Sequence, residues 1–146
     1  MAKIYSIISG KGGVGKTTST INLAAALNLL GENTMIVDTN FSTPNIGLHF
    51  GAPVVPINLN HVLKGNAELK DAIYEHKSGI KTLLSSLSAR NIEEIKHEKL
   101  LDISKKLKRL SEYIIFDSSA GLGKETKASI NAADEVIIIT QAEMPA

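Results

Sequence analysis

The chain has 146 residues, a net charge of +1 and an apolar share of 43%, enough for one domain with a real core and too little for two comfortable ones. No global field draws it to nucleic acid or an anionic membrane, and the absence of cysteine excludes disulfides, thiolate metal sites, thiolate-held iron–sulfur clusters and cysteine nucleophiles. No stretch approaches membrane-spanning length, and Met1-Ala2-Lys3 enters a strand directly with no signal-peptide layout, so the expectation is a soluble, cytoplasmic domain.

Ile4 to Ile8 is an apolar run that reads as a buried strand. It enters Ser9-Gly10-Lys11-Gly12-Gly13-Val14-Gly15-Lys16-Thr17-Thr18, after which Ser19 to Leu30 reads as a helix. Ile21, Ala24, Ala25, Leu27 and Leu30 form its apolar stripe, with Gly31 placed to cap it. Strand, glycine loop and a helix opening on Lys-Thr form the P-loop arrangement G-x-x-x-x-G-K-[ST], here Gly10 to Thr17. Glycines let the backbone curl so that successive N–H groups face phosphate oxygens, and the helix N-terminus adds its own N–H groups and dipole. Within the loop Gly12, Gly13, Val14 and Gly15 surround the phosphates, Lys16 reaches the β- and γ-phosphates, and the Thr17 hydroxyl ligates Mg²⁺.

Thr34 to Val37 is a second apolar strand ending on Asp38, and the helical crossover implies a parallel, right-handed βαβ unit. Asp38 to Asn45 is polar and turn-rich, at the carboxyl end of a parallel strand, where ligands of open α/β sheets bind. Phe50 to Pro56 reads as a loop, Leu59 to Lys64 as a short helix stopped by Gly65, Leu69 to Tyr74 as another helix, and Ile80 to Leu84 as a third strand. Serines and Asn91 then lead, as a loop and N-cap, into an amphipathic helix over Ile92 to Leu110. Ile92, Ile95, Ile103, Leu107 and Leu110 share its apolar face. Glu93 and Glu94 near its start and Lys105, Lys106, Lys108 and Arg109 near its end suit the macrodipole; the alternative is that the basic end touches DNA or lipid headgroups. Tyr113 to Asp117 is a buried strand, Ser118 to Gly123 a small-residue loop, Lys124 to Ala132 a helix, and Val136 to Thr140 the fifth strand. The expected architecture is α/β: a doubly wound, mainly parallel sheet of about five strands with helices on both faces, residues 1–146 forming a single P-loop ATPase domain.

Asp117 ends its strand about a hundred residues after the phosphate loop, the position of a Walker-B aspartate that holds Mg²⁺ directly or through water. Its bland counterpart is a loop anchor or helix cap. Asp38 faces the same edge of the sheet, either orienting the water that attacks the γ-phosphate or starting a turn. Lys11 is an ammonium in the phosphate region that makes sense only against negative charge: a solvated lysine, or one that reaches a neighbouring subunit's nucleotide.

The run Lys11 to Thr18 resembles the deviant Walker A motif, K-G-G-x-G-K-[ST]-T, of the MinD/ParA family of dimerising ATPases. Ile36-Val37-Asp38-Thr39-Asn40 looks like that family's switch I, and Asn45-Ile46-Gly47-Leu48 like the stretch after it. Tyr113 to Leu122 resembles its Walker B and switch II, and Ala133 to Thr140 the strand that follows. The resemblance lies nearer to archaeal-type MinD-like proteins than to plasmid ParA. It implies that Lys11 contacts nucleotide across an ATP-dependent homodimer, that Lys16 and Thr17 serve phosphate and magnesium, and that the Thr18 hydroxyl lies near the α-phosphate. It further implies that Asp38 is associated with the attacking water and that Asp117 is the Walker B residue. ATP and Mg²⁺ are the implied cofactors, and a regulatory protein is the implied partner.

Three departures stand out. Asn40 replaces a second aspartate found in many members, which favours slow or partner-dependent hydrolysis. Ser119 replaces the switch II proline. The chain also stops after the fifth strand, whereas the family is longer, with base-contacting residues and often a C-terminal amphipathic membrane helix that has no counterpart here. Val136 to Ile139 is therefore expected as an apolar edge, in a truncated product or covered by another chain. The leading expectation is a MinD-like ATPase that controls cell-division or positioning partners, peripherally at a membrane surface. Its rivals are a nucleotide-binding scaffold or incomplete domain without efficient hydrolysis, and a ParA-like DNA partition ATPase supported only by the basic helix end.

Overall fold

Every residue of the strand Thr34–Asp38 (β2) is buried, as are Ile114, Ile115 and Phe116 of Tyr113–Ala120 (β5), the mark of parallel strands covered on both faces. Successive side chains alternate. Met35, Val37, Ile114 and Phe116 join one apolar cluster, whereas Ile36 and Ile115 join a second on the other face. Lys3–Ser9 (β1) divides in the same way, Ile4 to the first cluster and Ile7 to the second. In this computed structural model, which describes residues 1–52, 54–86 and 95–144, the helix Lys16–Leu29 (α1) and the short helix Ile46–His49 (α2) cover one face through Ala24 and Ile46. Leu59–Lys64 (α3), Leu100–Leu107 (α4) and Lys124–Ala132 (α5) cover the other, through Leu63, Leu100, Ile103, Leu107 and Ala132.

Among the described residues the sheet has six strands in the order β3-β4-β2-β5-β1-β6, where β3 is Ile73–Glu75, β4 is Lys81–Leu83 and β6 is Glu135–Ile138. All neighbours are parallel except β3 and β4. The doubly wound α/β expectation holds, with one strand more than the expected five. That strand arises where Leu69 to Tyr74 reads as a helix from sequence. A 3₁₀ turn occupies Leu69–Ala72, and the chain then pairs backwards on β4, because Gly79 takes φ of +95° in the turn that joins them. The Tyr74 hydroxyl fixes this corner by accepting from Ile57 N and donating to Ile57 O.

The amphipathic segment also differs from its sequence reading. Ile92, Glu93, Glu94 and the Asn91 cap lie outside the described residues. Ile95 and Lys96 are not helical, His97–Lys99 is a 3₁₀ turn, and α4 ends at Leu107. Ile95, Ile103 and Leu107 are buried as the pattern requires, but Leu110 stays partly exposed. The chain turns at Leu107, whose carbonyl accepts from both Leu110 N and Ser111 N, and Glu112 N then donates to Asn33 O. Leu30 likewise leaves the α1 stripe for solvent, since Gly31 at φ +87° ends the helix there. At the far edge β6 pairs with β1 alone among the described residues and exposes Val136 and Ile138, as expected of an apolar edge strand.

Candidate functional site

The four strands β2, β5, β1 and β6 run in one direction, so β1, β2 and β5 deliver Ser9, Asp38 and Asp117 to the same edge of the sheet. The loop after β1 meets α1 there. Gly13 and Gly15 hold φ of +71° and +100°, and beyond their chain neighbours no atom of the described residues lies within 4 Å of where a Cβ would stand, so the backbone bends round open space. Gly15 is also the N-cap of α1, which has no side-chain cap and no acid in its first turn. Its first N–H groups are left for a ligand, and an anion suits both them and the dipole. A cavity of about 390 Å³ lies in front of them, walled by Gly12, Gly13, Gly15, Lys16, Thr17 and Thr18. Asn40, Thr43 and Asn45 close it from the loop after β2, and Ser118 and Ala120 from the end of β5.

Thr17 and Asp117, a hundred residues apart, meet in this corner. The Thr17 hydroxyl donates to Asp117 Oδ2 at 2.7 Å, and the Thr20 hydroxyl lies 3.1 Å from Oδ1 and 2.9 Å from Lys16 O. Asp117 is buried, which raises its carboxyl above the ordinary carboxylate range, while Thr17, Thr20 and the Lys16 ammonium pull the other way. A hydroxyl and a carboxylate side by side, beside a cationic cradle, is a donor set made of oxygen, the preference of Mg²⁺.

Asp38 is the register partner of Asp117 on the neighbouring strand and is fully buried. Its oxygens face the chain rather than the cavity. Oδ1 accepts from Asn40 N at 3.1 Å, and Oδ2 from Asn45 N and Ile46 N at 3.1 and 3.2 Å. In this geometry Asp38 shapes the loop that follows it, and Asn40 and Asn45 are the residues that loop presents to the cavity. Burial, then the charge of Asp117, push the Asp38 carboxyl up to about 8, against the three N–H groups that draw it down.

Lys11 and Val14 face away. They border a separate hollow of about 520 Å³ beside Ile139 and Thr140, and the Lys11 ammonium pairs with Glu143 at 3.0 Å with both side chains exposed. The structure therefore brings together Gly12, Gly13, Gly15, Lys16, Thr17, Thr18 and Asp117, keeps Asp38 adjacent but engaged, and turns Lys11 out of the cavity. Of the basic residues at the α4 end, Lys105 pairs with Asp102 and Lys108 with Asp134, so part of that charge is spent within the chain.

Sequence reasoning missed Thr20 and Glu125. Thr20 had a signal: three residues after Thr17 on a helix, it lies on the same face. Glu125 had none, because its partners Phe41, Ser42 and Ser119 reach it only through loop geometry.

A family model described as an AAA domain matches residues 2–146. An uncharacterised ATP-binding protein of Methanocaldococcus jannaschii is 40% identical over 144 residues, covering 99% of this chain and 54% of the relative. The septum site-determining protein MinD of Bacillus subtilis is 30% identical, covering 100% and 56%. Among solved structures, MinD complexed with Mg-ADP from Pyrococcus horikoshii superposes with a TM-score of 0.93 at 35% identity, covering 98% of this chain and 59% of that one. The chain spans about half the length of the curated relatives it matches.

Proposed function

The chain belongs to the MinD/ParA family of ATPases, and from that premise we propose that it binds Mg-ATP in the cavity at the α1 N-terminus, dimerises through the nucleotide and hydrolyses it to control the placement of a protein partner. The observation that carries this reading is the 2.7 Å contact between the Thr17 hydroxyl and Asp117 directly beside the glycine cradle. Thr17 and Asp117 would hold Mg²⁺, the oxygen donors present fit it, and the ion would neutralise charge on the phosphates. The glycine loop and the first turn of α1 bind the phosphates through N–H groups, and Lys16 supplies the fixed positive charge. The Pyrococcus horikoshii relative, solved with Mg-ADP, supports that assignment.

The fate of Asp38 separates turnover from binding. With both oxygens on backbone N–H groups, Asp38 orients an attacking water only if the loop after β2 rearranges. Lys11 acts across a dimer only after leaving Glu143. These two engagements, together with Asn40 where many members carry an acid, favour a second reading in which the chain binds Mg-ATP as a scaffold with little turnover. Attachment to a membrane surface belongs to the first reading as a proposal; among the described residues no helix is long and apolar enough to cross a membrane. The internal ion pairs of Lys105 and Lys108 leave the DNA reading weaker support.

Phosphate release measured against protein concentration in Mg-ATP decides between them. A rate per subunit that climbs with concentration and collapses in Lys11→Ala is the expected outcome of dimer-coupled hydrolysis. Tight ATP binding with no release at any concentration would leave only the scaffold.

A further inference from the structure

One side chain ties together two segments that help wall the phosphate cavity, the loop after β2 and the end of β5. Glu125 lies in the first turn of α5, where an acid is favourable on dipole grounds alone, yet it makes no cap on its own helix. Its carboxylate reaches across to the loop after β2 instead. Oε1 accepts from the Ser42 hydroxyl at 2.6 Å and Oε2 from Phe41 N at 3.1 Å. Oε2 also accepts from the Ser119 hydroxyl at the end of β5. The same hydroxyl also lies 3.2 Å from Asn40 Oδ1, so its single proton is shared between the Glu125 carboxylate and the Asn40 amide oxygen.

Glu125 is mounted on a rigid base. Thr126 beside it donates to Ser119 O at 3.1 Å, and the buried Ser129 and Ser6 hydroxyls, 2.6 Å apart, pin the next turn of α5 to β1. Asn40 in turn holds its own loop closed, donating to Thr43 O at 2.8 Å and accepting from Thr43 N at 3.2 Å. Asn40 and Thr43 from the loop after β2, and Ser118 and Ala120 from β5, are cavity walls that the glycine loop does not supply.

We propose that Glu125 is a positioning residue of the nucleotide site: by clamping Phe41 and Ser42 to Ser119, it sets the far wall of the cavity where the terminal phosphate of a nucleoside triphosphate is read. The inference rests on the nucleotide-site reading above and deepens it. The inner phosphates depend on the glycine loop and α1, which Glu125 does not touch. Loss of the clamp therefore discriminates between nucleotides by phosphate number, which a general loss of stability does not.

The test uses the whole chain with Mg²⁺ and compares equilibrium binding of ADP and of β,γ-imido-ATP, alongside phosphate release from ATP. In Glu125→Ala, ADP affinity is expected to stay within about twofold, while the triphosphate analogue weakens and phosphate release falls by on the order of tenfold or more, as when a positioning group is displaced. Glu125→Gln keeps the shape and one acceptor oxygen and falls between. Ser119→Ala adds little to Glu125→Ala, because members of one network are not additive. Equal weakening of both nucleotides, or no change in the analogue-to-ADP ratio, overturns the clamp. If the unaltered chain binds ATP but releases no phosphate, the hydrolysis reading fails, and the binding ratio alone still decides the clamp. If the unaltered chain binds neither nucleotide, both fail.

Discussion

Asp38, the last residue of β2, and Asp117, inside β5, are register partners on adjacent parallel strands, and both are buried, yet they are held in opposite ways. Asp117 is gripped by the hydroxyls of Thr17 and Thr20 on α1. Hydroxyls rotate and accept as readily as they donate, so this carboxylate can be given over to a cation at little cost. Asp38 is gripped by three backbone N–H groups of the loop it begins. Those donors have no other use for their protons, and withdrawing the carboxylate strands them. Position along a strand is thus a weaker guide to role than the kind of donor that meets the side chain.

The largest expected effect comes from breaking the Asp117 side. Asp117→Ala should lower Mg²⁺ affinity or Mg²⁺-dependent phosphate release by on the order of ten- to a hundredfold, read from release rates and from Mg²⁺ titration of nucleotide binding; an unaltered Mg²⁺ dependence would remove the metal role. Asp38→Ala should act on the fold instead. Leaving buried N–H groups without an acceptor costs about 2–3 kcal/mol, seen as a lower denaturant midpoint, with ADP affinity close to that of the unaltered chain. A drop in ADP affinity as large as that of Asp117→Ala would erase the distinction.

pH sharpens the same contrast. Asp38 binds its proton more tightly folded, at about 8, than at its ordinary 3.8. The folded chain therefore holds more protons than the unfolded one between those values, and its stability falls as pH rises through that window and levels off above it. Unfolding midpoints in chelator from pH 5 to 9 should show the decline, and Asp38→Ala should reduce its slope. Asp117, raised in the same direction by burial, accounts for part of what remains. The smallest effect belongs to a carboxylate outside the comparison. Glu143 meets Lys11 in solvent, so Glu143→Gln should change unfolding stability by less than about 0.5 kcal/mol. A loss of several times that size would mean that the pair anchors the segment after β6.

Much of this was legible because it is local. The phosphate loop is a contiguous run whose glycines, lysine and threonine sit at fixed offsets, and β2 and β5 announce themselves as apolar runs ending in a carboxylate. β3 was not legible, since Leu69 to Tyr74 carries no strand alternation until a glycine turn folds it back on β4. The stretch before α4 misled for the reverse reason: Ile95 keeps the helical spacing and is buried, but the backbone there is not helical.

The sequence by itself determined the glycine loop at the head of α1, the doubly wound α/β class, and the membership of Lys16, Thr17 and Asp117 in one corner. Those follow from short-range chemistry and from the chirality that brings successive parallel strands to one edge. Only the tertiary structure decided what Asp38, Lys11 and Glu125 touch. Each depends on which loop donor or distant acid lies within hydrogen-bond reach, and residues as far apart as Phe41 and Glu125 or Lys11 and Glu143 become neighbours only once the sheet is assembled.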